Sequence, residues 1–251
     1  MLEVQHLSKS FGGVTAMDNV TLSFPTGSLT AVIGPNGAGK STLFNLITGS
    51  LHPDQGRILL HGTNIAGLSP PQIVRRGVGR AFQVASIFPS LTVEESLLAA
   101  VTAHQRQSAA LHRRFPLVEA YQRARDVADM LGLADKAHDL SANLSHGDQK
   151  LLDVALALVL DPSVLLLDEP TAGMGPEERW RMIEKIQELW EREKLTLVFI
   201  EHDMDIVFKI AESIHVLCYG RVLAHGTPDE IRANPAVIEA YLGTPHEEAR
   251  I

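Results

Sequence analysis

The sequence predicts an α/β fold with parallel strands and a separate helical subdomain, and three observations support this prediction. A glycine-rich loop separates the apolar run at 29–34 from the run at 40–48, which predicts a strand, a loop and a helix in succession. The runs SVLLLDE and LTLVFIEHD end in acids and a histidine, a pattern typical of buried parallel strands with polar groups at their carboxyl ends. The stretch 92–142 is rich in Ala, Leu, Arg and Glu and has no strand-like run, which predicts helices.

The carboxyl-terminal part of the chain carries a clear helix start. The residues TPDE from Thr227 to Glu230 match a capping box, with a hydroxyl at the N-cap, a proline at the first helical position and a glutamate three residues after the cap. This pattern predicts a helix at 228–232, and a further apolar run predicts another at about 236–242.

Length, composition and charge limit the possible functions. The 251 residues, 45% hydrophobic and 21% charged, are typical of a globular protein with a large core. The net charge of −8 disfavours non-specific nucleic-acid binding, which depends on a cationic surface. A single cysteine excludes an intramolecular disulfide, and the N-terminus does not resemble a secretory signal, so we expect a reducing cytosol. Because the apolar runs are shorter than the roughly 18–20 residues that span a bilayer, membrane association is expected to come through partners.

Residues 34–42, GPNGAGKST, match the phosphate-loop motif Gly-x-x-x-x-Gly-Lys-Ser in full. Its glycines let successive backbone N–H groups turn towards a triphosphate, and the helix that follows directs its positive dipole end at the same anion. We expect Lys40 to bridge the β- and γ-phosphates and the Ser41 hydroxyl to ligate Mg²⁺. The predicted ATP-binding residues of this phosphate loop are Gly34, Pro35, Asn36, Gly37, Ala38, Gly39, Lys40, Ser41 and Thr42.

Two adjacent carboxylates, Asp168 and Glu169, follow the apolar residues of VLLLDEP. Acids at the end of a buried strand require a partner, and a metal ion with a water molecule provides one. We expect Asp168 to hold Mg²⁺ through its water shell and Glu169 to polarise the attacking water as a general base. The alternative is a solvated strand end with helix-capping acids, and the phosphate loop favours the catalytic interpretation.

Together these motifs resemble those of one family. GPNGAGKST, LSHGDQ at 144–149 (the signature), LLLDEP and FIEHD occur in the order and at the separations of ATP-binding cassette (ABC) ATPases, over essentially the whole chain. The resemblance implies a P-loop NTPase fold, with a RecA-like mixed sheet, an antiparallel β part and an α-helical subdomain. It implies one domain at 1–251, with a catalytic core at 1–88 and 150–251 and a helical subdomain at about 89–149.

The same resemblance implies further site residues. Phe11 takes the place of an aromatic residue that stacks on adenine, although tyrosine is commoner there. Gln83 corresponds to a glutamine that contacts Mg²⁺ and the attacking water, and His202 to a histidine that hydrogen-bonds the γ-phosphate and orients the water. Ser145 and Gly147 belong to the signature, which completes the γ-phosphate site of a second subunit, and Ser145 is well placed to cap the next helix.

The signature differs from the usual LSGGQ at His146 and Asp148. His146 leaves the backbone N–H in place, so we expect the signature to function. The resemblance implies that ATP closes a head-to-tail dimer and that hydrolysis at Glu169 reopens it.

A finer resemblance indicates the kind of transporter. AGMGP, LSHGDQ, FGGVTAMDNV and GTPDEIRANPAVIEAYLG are similar to segments of the ATPases of bacterial importers for branched-chain amino acids, and of their relatives for urea and short amides. This implies a second ATPase subunit, identical or not, transmembrane permease subunits and, indirectly, a periplasmic solute-binding protein, at the cytoplasmic face of the plasma membrane.

Two other classes stay open. One is an exporter or envelope-lipid ATPase with a similar cassette. The other is a soluble cassette protein that acts on DNA or ribosomes, a class that usually has two tandem cassettes or a long coiled-coil insertion, neither of which this sequence contains. With the acidic net charge, this leads us to expect no nucleic-acid partner.

Overall fold

The computed structural model describes residues 1–104 and 118–242, which divide into two compact units. The first unit comprises Met1–Leu68 and Ile200–Ile251, and the second comprises Ser69–Phe199. Residues 105–117 of the predicted helical stretch and the tail from residue 243 lie outside the described residues. The predicted subdomain boundaries near 89 and 149 stay a prediction.

The strands and helices alternate along much of the chain. The strands are β1 (Leu2–Phe11), β2 (Val14–Phe24), β3 (Leu29–Ile33), β4 (Gln55–Leu60), β5 (Thr63–Asn64), β6 (Val78–Ala81), β7 (Val164–Asp168), β8 (Thr196–Ile200), β9 (Ser213–Cys218) and β10 (Arg221–Gly226). The helices are α1 (Lys40–Ile47), α2 (Pro70–Val74), α3 (Val93–His104), α4 (Val118–Met130), α5 (His146–Leu158), α6 (Pro176–Glu193), α7 (Met204–Ile210), α8 (Pro228–Arg232) and α9 (Pro235–Leu242). Two short 3-10 helices span Ala134–Lys136 and Ser141–Asn143.

The first unit contains an antiparallel sheet of strand order β2-β1-β4-β5, which confirms the antiparallel part of the predicted fold. Leu2, Val4 and Leu7 of β1 are buried, and they join Phe24 and Ile58 in the core of this unit. A second group of strands has the order β10-β9-β3, in which β3 runs parallel to β9. All five residues of β3 are buried, so the predicted strand and the helix after it are confirmed to within one residue.

The carboxyl-terminal helices of the first unit begin close to where the sequence predicts. Thr227 accepts the backbone N–H of Glu230, and the Glu230 side chain accepts the backbone N–H of Thr227, so the predicted capping box is confirmed. Its helix, α8, has the predicted bounds, and α9 begins one residue earlier than expected, at Pro235.

The second unit contains strands in the order β8-β7-β6, with β7 parallel to β6. Every residue of β7 and β8 is buried, as their apolar runs predict. The described part of the helical stretch forms α3 and α4, which pack against each other. Helix α6 buries Met182, Ile183, Ile186 and Leu189, one stripe of an amphipathic helix. Within 1–104 and 118–242, no helix combines the length and the apolar character needed to cross a bilayer.

Candidate nucleotide-binding site

The phosphate loop joins β3 to α1 in the first unit, and its backbone requires glycine. Gly37 and Gly39 have φ of 80° and 103°, in the left-handed region that side chains disfavour. A Cβ on Gly39 would lie 2.7 Å from the Ala16 carbonyl oxygen, so the close approach of β2 also excludes a side chain there. Asn36 and Gly37 are exposed, whereas Ala38 is buried. The middle of the phosphate loop therefore faces solvent, while Ala38 is packed in the interior.

Lys40 opens α1 and is only 7% exposed. Its ammonium donates to the Gly34 carbonyl at 2.7 Å and to the Pro35 carbonyl at 3.1 Å. The cation is thus folded back over the start of the loop. Ser41 is exposed and Thr42 half-buried in the first turn of the same helix, next to the backbone N–H groups that α1 leaves without an intrahelical acceptor.

Phe11, the predicted adenine platform, ends β1 and is 43% exposed. The Lys9 ammonium lies 5.4 Å from the centroid of its ring and also forms an ion pair of 2.7 Å with Asp54. Asp54 in turn accepts the Ser10 backbone N–H at 2.8 Å. Phe11 therefore makes a cation–π contact with Lys9, while part of its ring stays exposed to solvent.

His202, the predicted γ-phosphate ligand, lies in the first unit on the short loop after β8. Its side chain is exposed, and its backbone N–H donates to the carboxylate of buried Glu201 at 3.2 Å. The next residue, Asp203, caps α7 by accepting the backbone N–H groups of Asp205 and Ile206. A strand end and a helix cap on either side fix the backbone that presents the imidazole.

In the second unit, Asp168 ends β7 and does not stand alone. Its carboxylate accepts a hydrogen bond of 2.6 Å from the Arg80 guanidinium of the neighbouring strand β6, and the two side chains are 7% and 8% exposed. Strands β6 and β7 pair in parallel, so Arg80 and Asp168 both lie near the carboxyl ends of these strands. The guanidinium gives this buried carboxylate a hydrogen-bond partner.

Glu169 and Gln83 meet in the same unit. The Gln83 amide nitrogen donates to the Glu169 carboxylate at 2.7 Å. Glu169 has φ of 50°, an uncommon left-handed conformation for a side chain of this size, which turns the chain sharply after β7. The structure therefore brings together the predicted general base and the predicted glutamine.

The loop that carries Gln83 is held by α5. Lys150, 3% exposed, donates to the Gln83 carbonyl and, at 3.4 Å, to the Glu169 carbonyl. Asp153, one turn further on, accepts the backbone N–H groups of Phe82 at 2.7 Å and Ser86 at 3.0 Å. Burial raises the pKa of Asp153, and the hydrogen bonds from these two N–H groups partly offset that effect.

The signature forms the start of α5. Ser145 is the N-cap, and its hydroxyl accepts the Asp148 backbone N–H at 3.2 Å, as the sequence predicts for a capping serine. Gly147 lies in the first turn and is half-buried. The Asp148 carboxylate accepts from the Ser145 hydroxyl at 2.6 Å and from the Lys136 ammonium at 2.7 Å.

His146 connects the signature to the loop after Glu169. Its Nε2 lies 3.3 Å from the Ala172 carbonyl oxygen, to which the imidazole N–H donates. Gly173 has φ of 79°, and a Cβ there would lie 3.2 Å from the same imidazole nitrogen. Met174 is 5% exposed, and Gly175 caps α6 immediately after it.

Comparison with known proteins identifies the family. The ABC transporter family matches residues 17–172, and a family described as branched-chain amino acid ATP-binding cassette transporter matches residues 221–247. The chain belongs to the ABC transporter family. Its relatives include the high-affinity branched-chain amino acid transport ATP-binding protein LivG of Salmonella typhimurium, 41% identical over 97% of this chain and 98% of LivG. The protein of the same description named BraF, from Pseudomonas aeruginosa, is 39% identical over 97% of this chain and 98% of its own.

Solved structures of ABC cassettes share the fold. A nucleotide-free ATP-binding cassette from an ABC transporter superposes with a TM-score of 0.84 at 29% identity, covering 97% of this chain and 99% of that chain. The ADP conformation of an ATP-binding cassette of an ABC transporter gives 0.85 at 30% identity, covering 97% and 98%. The predicted P-loop NTPase fold of the ABC type is confirmed.

Several polar residues near the site of this ABC cassette are not predicted from the sequence. Arg80, Lys150 and Asp153 are not part of a recognised motif, yet they hold Asp168, Glu169 and the Gln83 loop. One signal was present: Lys150 and Asp153 stand three residues apart among the apolar residues of a helix, where charges are rare unless they are paired. Lys136 gave no comparable signal, because it approaches the signature from a different segment.

Proposed function

We propose that this chain is the ATP-binding and ATP-hydrolysing subunit of a bacterial importer for branched-chain amino acids. The observation that carries the proposal is the phosphate loop with its left-handed glycines and Lys40 in the first turn of α1, within a chain of the ABC family. The cargo is inferred from relatives named for branched-chain amino acid transport, which align with nearly the whole chain.

The phosphates of ATP bind at the loop. Backbone N–H groups at the start of α1 and the dipole of that helix attract the anion, and Lys40 exchanges its two carbonyl contacts for phosphate oxygens. The exposed part of Phe11 stacks on adenine. His202, exposed beside a capped helix, hydrogen-bonds the γ-phosphate.

The residues assigned to Mg²⁺ suit that ion chemically. Ser41, Gln83 and Asp168 provide a hydroxyl, an amide oxygen and a carboxylate, the hard oxygen ligands that Mg²⁺ prefers. Gln83 uses its nitrogen on Glu169, so its carbonyl oxygen is the end that serves as a ligand. When bound, Mg²⁺ supplies positive charge that neutralises the phosphate oxygens.

Hydrolysis depends on Glu169. Its carboxylate accepts the attacking water's proton, and the Gln83 amide orients that carboxylate through the hydrogen bond of 2.7 Å. Lys150 and Asp153 hold the backbone on which Gln83 sits, which keeps the pair aligned.

The functional unit is a head-to-tail dimer of ATPase subunits. Ser145 and Gly147 complete the γ-phosphate site of the opposite subunit, because the N-terminus of α5 presents backbone N–H groups and a positive dipole end. The dimer binds transmembrane permease subunits at the cytoplasmic face of the plasma membrane, and a periplasmic solute-binding protein delivers the amino acid to them.

The decisive experiment purifies the tagged chain from gently solubilised membranes of its own host and reconstitutes the complex in vesicles. We expect polytopic permeases to co-purify, and ATP hydrolysis to rise when the solute-binding protein carries leucine, isoleucine or valine. The Lys40→Ala variant, which loses the phosphate-binding cation, is the inactive control.

The alternative outcomes separate the other classes. If urea or short amides stimulate ATP hydrolysis instead, the chain belongs to an importer, but its cargo is not a branched-chain amino acid. Lipid-dependent hydrolysis without a solute-binding protein would indicate an envelope exporter, and recovery of soluble partners or nucleic acid alone would overturn the transport function.

A further inference from the structure

The hydroxyl proton of the signature serine, Ser145, forms a hydrogen bond within its own chain. The Ser145 hydroxyl donates to Asp148 Oδ2 at 2.6 Å and accepts the Asp148 backbone N–H at 3.2 Å. A serine hydroxyl can donate one hydrogen bond. As long as it donates to Asp148, Ser145 cannot donate to a phosphate oxygen.

Lys136 controls how strongly Asp148 holds that proton. Its ammonium donates to the same oxygen, Oδ2, at 2.7 Å, and it approaches from the 3-10 helix Ala134–Lys136, not from α5. Burial alone would raise the pKa of Asp148, but the hydrogen bonds from Lys136 and Ser145 outweigh burial and lower it. Asp148 is therefore a carboxylate anion at neutral pH, partly neutralised by Lys136.

We propose that Asp148 and Lys136 together set the affinity of the signature for phosphate. Asp148 competes with the γ-phosphate of the opposite subunit's ATP for the Ser145 proton and adds a negative charge near that anion. Lys136 weakens both effects by pairing with Asp148. Both are positioning residues that act through Ser145, and the inference rests on the proposed dimer.

The two residues then have opposite effects on dimer closure. In Asp148→Asn the acceptor is a neutral amide, the negative charge is gone and Lys136 is released, so closure needs less ATP. In Lys136→Met the Asp148 anion is unpaired and holds the Ser145 proton more tightly, so closure needs more ATP. A purely structural ion pair behaves differently, because either variant breaks the same bond and shifts closure in the same direction.

The test uses full-length protein with Glu169→Gln, so that ATP is bound and not consumed. Light scattering measures dimer mass while Mg-ATP is titrated. We expect Asp148→Asn to lower the half-saturating ATP concentration about two- to fivefold and Lys136→Met to raise it by a similar factor. Lys136→Arg should restore the unaltered value, because a guanidinium keeps the charge and the pairing.

Matched controls come from the same part of the chain. A cavity of about 350 Å³ is lined by Ser145, Asp148 and Lys136, and also by the surface pair Lys185 and Glu188. Lys185→Met and Glu188→Gln remove the same charges from this cavity without touching Ser145, so each should leave the ATP dependence unchanged. Binding of a fluorescent ATP analogue below the dimerising concentration should be equal in all variants.

Failure of the proposed dimer and failure of this inference alone give different results. If the Glu169→Gln protein binds Mg-ATP but stays monomeric, closure of the proposed dimer from two copies of this chain is overturned together with this inference. If it dimerises, but the Asp148 and Lys136 variants shift the half-saturating concentration in the same direction or not at all, this inference alone is overturned.

Discussion

Arg80 and Asp168 form an ion pair of 2.6 Å in which both side chains are more than nine-tenths buried. Desolvation of two charges costs free energy, and mutual attraction offsets that cost only while both partners are present. The pair also joins neighbouring strands, β6 and β7, near their carboxyl ends, where Asp168 is the predicted Mg²⁺ ligand. The carboxylate is therefore set in place by a cation of its own chain.

Removal of one partner of this pair should destabilise the fold. We expect Arg80→Met and Asp168→Asn each to lower the free energy of unfolding by about 3 kcal/mol, because each leaves a buried polar group without its partner. The double variant should lose less than the sum of the two single losses. Urea unfolding followed by circular dichroism measures all three differences.

An exposed ion pair of the same kind is the control for this prediction. Arg221 and Asp18 are 2.5 Å apart, and their side chains are 73% and 39% exposed. Arg221→Met should cost less than about 1 kcal/mol, because exposed pairs contribute little. Equal losses in Arg80→Met and Arg221→Met would show that burial of the Arg80 pair has no energetic consequence.

The hydrogen bond of 2.7 Å between Gln83 and Glu169 leads to a kinetic prediction. Glu169→Gln should lower kcat at least about 100-fold, the range expected for loss of a general base. Gln83→Ala should lower kcat about tenfold, because the carboxylate is then less well oriented. Glu169→Gln should keep ATP affinity within about twofold, measured by equilibrium binding, and a parallel loss of affinity in this variant would contradict its assignment as the general base.

Asp153 should affect the rate without contacting the nucleotide. Its carboxylate accepts backbone N–H groups on both sides of Gln83, so Asp153→Ala releases the loop that aligns Glu169. We expect kcat to fall about tenfold or more while KM for ATP stays within about twofold, since small misplacements of catalytic groups have large effects on rate. Asp126→Ala, which removes a half-buried carboxylate bonded to Gln122, should leave both constants unchanged.

The sequence predicts the strands, the phosphate loop and the acids well because each depends on local pattern. Buried strands such as β3 and β7 appear as continuous apolar runs, and the loop glycines are required by backbone conformation. Ser145 is identified as a helix cap because capping joins residues three apart.

The partners of the site residues are not predictable in this way. Arg80 and Asp168 are 88 positions apart, and Phe82 and Asp153 are 71 apart, so only the folded chain brings them together. Lys136 and Asp148 are closer in sequence but lie on different elements. Long-range side-chain pairing leaves no periodic signal in a single sequence, so these contacts require the structure.

His215 gives the first unit a pH-dependent stability. Burial lowers the pKa of this histidine to about 4, the Ser23 carbonyl that accepts its Nε2 proton opposes that change, and His225, stacked at 4.4 Å, adds to it. An unfolded histidine titrates near 6.5, so between pH 6.5 and about 4 the unfolded chain binds the extra proton and the folded chain does not. Stability is therefore fully present above pH 6.5 and falls as the pH drops towards 4.

We expect this histidine to contribute roughly 3 kcal/mol to the difference in unfolding free energy between pH 7 and pH 4, from 1.36 kcal/mol per pKa unit. His215→Gln keeps a side-chain N–H for the Ser23 carbonyl and cannot take up a proton, so its stability should depend less steeply on pH in this window. Urea unfolding at half-unit pH steps gives the two slopes, with His52→Gln as an exposed control. Equal slopes for the unaltered protein and His215→Gln would mean that His215 takes up its proton equally well in the folded and unfolded chain, which a buried imidazole edge-on to Phe24 should not do.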